Sequence, residues 1–184
     1  MIERSSIALG MPPWWGRAAA GLATARGTRT MIGVRRDEQA PALRARGVHA
    51  VTRGDPERFV SQVREYLDGG ADVAFDTTGS WLPATIPALT VHGRVAVIAA
   101  PADGYERLPM RDLYRRGAHT IGMNSALRDM VACAGLLDEL RIPLESGALP
   151  APTAVVTRRL DNAIATYRDI ASGARGKFVL TPVE

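Results

Sequence analysis

The chain has 184 residues, 46% hydrophobic and 23% charged, with a formal net charge of +4. This composition suits one good-sized globular domain with a real core and excludes a disordered chain. No apolar run is long enough to cross a membrane, the lone Cys133 excludes an internal disulfide framework, and the positive charges are too scattered for a nucleic-acid surface.

The N-terminus lacks a secretory pattern because Pro12-Pro13 interrupts its apolar stretch early, so a cytoplasmic location is expected. Ser6–Leu9 reads as a first strand, and a helix from Arg17 to Arg26 ends at Gly27. Thr30–Val34 is a β-type run followed by Arg35-Arg36-Asp37. A helix over Glu38–Arg46, with Pro41 in its first turn, stops at Gly47, and Ala50–Thr52 is a brief strand. Asp55 then caps a third helix that carries Phe59, Val63 and Leu67 on its inner face.

The centre of the chain is Asp72–Ala100, read as strand (Val73–Asp76), turn, helix (Trp81–Leu89) and strand (Arg94–Ala100). Both strands are continuously apolar, as expected where a parallel sheet is covered on both faces. Met110–Arg116 is a short helix, His119–Met123 a strand, and Leu127–Leu140 an amphipathic helix with Leu127, Val131, Ala134 and Leu137 on one face. Cys133 lies on an apolar stripe of that helix and reads as a buried structural thiol. A Pro-rich connection at Gly147–Pro152 leads to an extended Val155-Val156, a helix over Leu160–Ile170 and a last strand at Phe178–Leu180. Regular alternation of strands and helices predicts an α/β fold with a doubly wound parallel sheet.

In such a sheet, ligands bind at the carboxyl ends of the strands. Arg35 and Arg36 directly follow the second strand, where an acid would accept hydrogen bonds from a ribose 2′-hydroxyl and an Arg would pair with a 2′-phosphate. The pair reads either as that recognition element or as a solvated loop. Asp37 comes too late to select the unphosphorylated nucleotide. Asp76, at a strand end, caps the next turn or orients a substrate. His49, His92 and His119 are isolated and no pair has ligand spacing, so no metal site is expected. No nucleophile elbow is present.

Taken in series, GTRTMIGVRRDEQAPALRARGVHAV, DVAFDTTG, GRVAVIAA, TIGMNS and GARGKFVL resemble the cofactor half of the medium-chain dehydrogenases/reductases, closest to their zinc-independent, quinone oxidoreductase-like branch. The resemblance spans about residues 16–184. It implies a Rossmann-like domain that binds NADP(H) and exchanges a hydride with a quinone, enone or carbonyl/alcohol substrate. On the matching positions it implies that Gly16 is the last glycine of the phosphate turn and that Arg35 and Arg36 meet the 2′-phosphate. It puts Thr77 and Gly79 against ribose and nicotinamide, Ile98 and Pro101 on the loop beside the cofactor, and Asn124 and Ser125 near the nicotinamide end, with Lys177 in the family's last strand. It also makes the edge near Thr120–Met123 a candidate for homodimerisation. Because catalysis in that branch rests on positioning, no catalytic residue is assigned.

Two departures stand beside these matches. The family's N-terminal substrate domain has no counterpart, and its Gly-rich turn reads GMPPWWG, with Pro13 at the middle glycine and Trp14-Trp15 in place of small residues. Proline has no N–H to offer a pyrophosphate, and Trp fills the space phosphates need. The chain therefore divides into an atypical segment, 1–16, and a dinucleotide-binding domain, 17–184. A truncated gene product, weak or inactive alone, is the expectation. The alternative is a genuine short protein, a non-catalytic nucleotide-binding or pseudoenzyme module that dimerises with a partner. A methyltransferase-type reading would require an acid where Arg35-Arg36 stand.

Overall fold

A computed structural model describes residues 5–9, 13–45, 47–149, 155–174 and 176–182. Six parallel strands form one sheet: β1 (Ser5–Leu9), β2 (Arg29–Val34), β3 (His49–Thr52), β4 (Ala71–Asp76), β5 (Leu89–Val97) and β6 (His119–Gly122), in the order β3-β2-β1-β4-β5-β6. The chain runs outward from β1 to β3, returns to pair β4 beside β1, and runs outward again to β6. This is the doubly wound Rossmann arrangement, and its switch point lies between β1 and β4. The expected fold class is the observed one.

The first half of the sheet is covered on both faces, so β1 is buried at every position. Its side chains alternate. Ile7 and Leu9 pack with Met31, Phe59, Val63 and Leu89, whereas Ala8 packs with Ala20, Ile32, Val34 and Leu43. The helices that cover it are α1 (Pro13–Ala25), α2 (Ala40–Arg44) and α3 (Pro56–Tyr66). α1 starts at Pro13, four residues before the Arg17 expected, because proline's fixed φ suits a first helical turn. It ends as expected at Gly27, whose φ is +73°. α3 is capped by Asp55, whose Oδ1 accepts a 2.7 Å bond from the Arg58 N–H, and its Phe59 and Val63 are wholly buried.

Several expectations change: the helices expected over Glu38–Arg46 and Leu160–Ile170 each begin as a 3-10 turn, Asp37–Gln39 and Leu160–Asn162, before α2 and the later helix Ala163–Ala171. The helix expected over Trp81–Leu89 is only α4 (Leu82–Thr85): Pro87 brings no N–H to continue the ladder, and Leu89 already opens β5. β5 stops at Val97, not Ala100, after a register irregularity opposite Ala71 and Val73. After α5 (Met110–Arg116), the next helix is α6 (Met130–Glu145), capped by the Asp129 carboxylate. A separate 3-10 turn holds Leu127. Its stripe is not buried. Leu127, Val131 and Leu137 are exposed, and Cys133 is half-buried.

Residues 150–184 form a second compact unit. There β7 (Val155–Arg159) pairs in parallel with β8 (Lys177–Thr181) across α7 (Ala163–Ala171), and neither strand extends the six-stranded sheet. Residues 10–12 of the expected phosphate turn, and 150–152 of the Pro-rich connection, lie outside the described residues. No described helix is long and apolar enough to cross a membrane.

The burial contrast gives a direct stability prediction. Phe59→Ala should lower the free energy of unfolding by about 3–5 kcal/mol. Leu137→Ala, at a residue 68% exposed, should change it by less than about 0.5 kcal/mol. Urea melts of the two variants check this, and comparable losses would mean that α6 is covered in solution.

Candidate functional site

The carboxyl ends of β1, β2 and β4 lie level, because Leu9 is in register with Gly33 on one side and Asp76 on the other. Thr77 fastens that junction: its N–H and its hydroxyl both donate to the Leu9 carbonyl, at 2.9 and 3.0 Å. The wholly buried Asp76 shapes the next turn, its Oδ1 accepting from the Thr78 N–H and hydroxyl at 2.7 Å each. Of the two roles considered for Asp76, the turn-capping one is what the structure displays.

Gly79 follows in the left-handed region, at φ +71°, with the Ala100 backbone 2.6 Å from where a Cβ would stand. The loop after β4 therefore passes directly against the loop after β5. Ile98, half-buried, continues the alignment by donating its N–H to the Asp76 carbonyl at 3.1 Å. Half-buried Pro101 starts a turn closed by the Gly104 N–H. Farther along the same edge, the Met123 N–H bonds the Val97 carbonyl, and Asn124 caps the 3-10 turn that contains Ser125. Asn124 and Ser125 are both exposed.

An open cavity of about 400 Å³ sits where β2, β3 and β4 end, lined by Arg35, Arg53, Gly54, Thr78, Ser80 and Trp81. Of the expected residues, Arg35 lies on it. Arg36 is exposed beside it, outside the lining, at the start of a 3-10 turn. Asp37 is engaged elsewhere, its Oδ1 accepting from the Thr52 hydroxyl at the end of β3. Gly16 is buried in the first turn of α1. Lys177 is exposed at the start of β8, in the second unit.

Sequence reasoning missed Arg53 and Trp81. Arg53 is 7% exposed, and its guanidinium carbon stands 5.0 Å from the centre of the Trp81 ring, which in turn meets Phe59 edge-on. Desolvation by burial lowers the Arg53 pKa, with the nearby Asp76 charge opposing that shift and Arg35 adding to it. An Arg one residue past a short strand was the only available signal, and it is a common pattern.

The family model for zinc-binding dehydrogenases matches residues 16–138. The chain belongs to that family. Its matched stretch is the cofactor half of the medium-chain dehydrogenases/reductases. The chain is 30% identical over 133 residues to a zinc-type alcohol dehydrogenase-like protein, C337.11, of Schizosaccharomyces pombe, a match that covers 69% of this chain and 40% of that one. The structure is similar to a quinone oxidoreductase of Pseudomonas syringae pv. Tomato DC3000, with TM-score 0.75, 19% identity and coverage of 98% of this chain and 57% of the other. It is also similar to mycobacterial Rv1454c complexed with NADPH, with TM-score 0.77, 20% identity and coverage of 98% and 58%. The chain thus spans well under two thirds of the length of these relatives, and the two structural likenesses speak for the fold. Among the described residues, no three of His, Cys, Asp and Glu gather into a group that could hold a metal ion.

The contact at Gly79 can be tested without any ligand. Gly79→Ala should cost roughly 1–2 kcal/mol from the left-handed backbone alone, with the clash against Ala100 added. Gly135→Ala, in open space on α6, should be neutral or slightly stabilising. Equal denaturation midpoints for the two variants would contradict the close passage of the two loops.

Proposed function

We propose that this chain is the cofactor-binding half of an NADP(H)-dependent oxidoreductase of the quinone oxidoreductase-like branch. The substrate class is a quinone, an enone or a carbonyl/alcohol pair. One observation carries the reading: an arginine-lined cavity lies at the carboxyl ends of β2 and β3, beside the β1–β4 switch point where doubly wound sheets take dinucleotides. Arg35 and Arg53 both line it, and the Arg53 Nε and Nη1 have no hydrogen-bond partner among the described residues, so the guanidinium groups present suit a phosphorylated ribose.

On this reading Arg35 meets the 2′-phosphate, and Arg36 adds positive potential at the mouth of the cavity. Thr77 and Gly79 shape the floor beneath ribose and nicotinamide, the first by its bonds to Leu9 and the second by admitting the Ala100 loop. Ile98, Pro101, Asn124 and Ser125 line the nicotinamide end. Gly16 lets the start of α1 pack closely on the sheet, and Lys177 joins the set by family position alone. When bound, the nicotinamide supplies or accepts the hydride. The chain's own residues orient it, consistent with catalysis by positioning. The edge of β6, with Ile121 and Met123 exposed, supports a homodimer through that strand.

A second reading, a nucleotide-binding module without turnover, is favoured by one feature: α1 opens on Pro13, whose nitrogen has no proton to give a diphosphate. Both readings require the adenosine end to bind, and they differ at the chemistry.

Calorimetric titration with NADPH and NADH tests the shared part, and NADPH consumption with a quinone acceptor tests the rest. The expectation is saturable binding, about tenfold or more tighter for NADPH. Equal affinities, or no binding up to about millimolar cofactor, would sink the NADP(H) assignment. Binding without turnover would select the module.

A further inference from the structure

Arg53 is placed with unusual care for a residue whose Nε and Nη1 make no hydrogen bond among the described residues. Its backbone N–H bonds the Val34 carbonyl at 2.9 Å, fixing the end of β3 against the end of β2. Its methylene stem crosses over Gly33: a Cβ there would stand 3.1 Å from Arg53 Cγ and 2.5 Å from Leu9 Cδ2, so only glycine leaves the passage open. The guanidinium then rests over Trp81 on the cavity wall.

A guanidinium buried in this way, with empty donors, is destabilising unless an acceptor arrives. The acidic group that acts on it does not meet the need. Asp76 attracts Arg53, yet its Oδ1 is occupied by Thr78 and its Oδ2 is itself buried without a partner among the described residues. Arg35 brings a second positive charge to the same wall. Two guanidinium groups against one enclosed carboxylate leave an excess of positive charge and an excess of donors. The complementary group is a compact oxyanion with several acceptors, and a phosphomonoester is such a group.

We infer that Arg53, together with Arg35, forms a phosphomonoester site that determines nucleotide specificity. This rests on the proposed function, where the monoester is the 2′-phosphate of the adenosine ribose. Arg53 takes the part that the order of residues assigned to Arg36. Trp81 supports the guanidinium from its ring, and Thr78 and Ser80 complete the lining of the cavity.

The test compares calorimetric titrations of adenosine 2′,5′-bisphosphate, 5′-AMP and inorganic phosphate into the full chain and its variants. Both nucleotides carry the same 5′-phosphate, so any loss of binding at the Pro-containing start of α1 is common to the two and their ratio reports the 2′-phosphate alone. The unaltered chain should bind the bisphosphate about tenfold or more tighter than AMP. Arg53→Gln should weaken the bisphosphate about 10- to 100-fold while leaving AMP within about twofold. Arg53→Lys, which keeps the charge and loses the fork, should fall between.

A merely structural Arg53 would move both nucleotides by the same factor. That result, or no change in either, overturns the inference and leaves the NADP(H) reading intact. If neither nucleotide binds but inorganic phosphate does, and Arg53→Gln abolishes it, the phosphate site stands and the cofactor reading falls. If none of the three binds the unaltered chain, both are overturned.

Discussion

The pairing of β1 with neighbours on both sides is the constraint on which the site depends. Leu9 is level with Gly33 and Asp76, so three strands end at one edge and whatever follows each of them emerges there. β3 joins that edge through Val34 and Thr52. Arg35, Arg53 and the Thr77-Thr78-Gly79 turn are far apart in sequence, and register alone brings them to one place. Thr77 reinforces the register where it matters most, through two donors to a single carbonyl in a buried setting, where such bonds are costly to lose.

The same edge shows how function and stability pull apart. Around Leu9 the packing is dense and apolar, with Met31, Phe59 and Val63 wholly buried. One residue beyond β3, however, stands a buried guanidinium whose Nε and Nη1 meet no partner among the described residues, and at the end of β4, three strands across the sheet, a carboxylate oxygen in the same condition. Packing forces alone would not select either group. The guanidinium becomes intelligible where an anionic ligand completes it, because local conflict concentrates at functional sites.

Much of this was legible in the sequence because it is local. The strand runs, the Asp55 cap, the Gly27 stop and the position of Arg35 all follow from a few adjacent residues. What could not be read depended on distant partners. Arg53 matters because Gly33 and Trp81 receive it, and no window around residue 53 contains either one. The helix after β4 looked longer because Leu82, Ile86 and Leu89 keep helical spacing, although Leu89 is the first residue of β5. The stripe on α6 had the right period for a buried face, and periodicity says only that a face is made to be covered, not what covers it.

Burial is uneven across the sheet, and the unevenness divides the proposed cofactor site in two. β1 is enclosed at every position and β6 exposed at every position. The arginine cavity lies in the enclosed half, held by Phe59, Trp81 and the β1–β2 pairing. The loops carrying Asn124 and Ser125 follow the exposed strand, next to an α6 whose Met130, Val131 and Leu137 face outward. Side chains hold a ligand to the extent that their own positions are fixed by packing. On the proposed reading, selection of the adenosine end is therefore intrinsic to this chain. Placement of the nicotinamide against its substrate depends on whatever covers the β6–α6 side. A chain of this kind would discriminate between nucleotides better than it would turn them over.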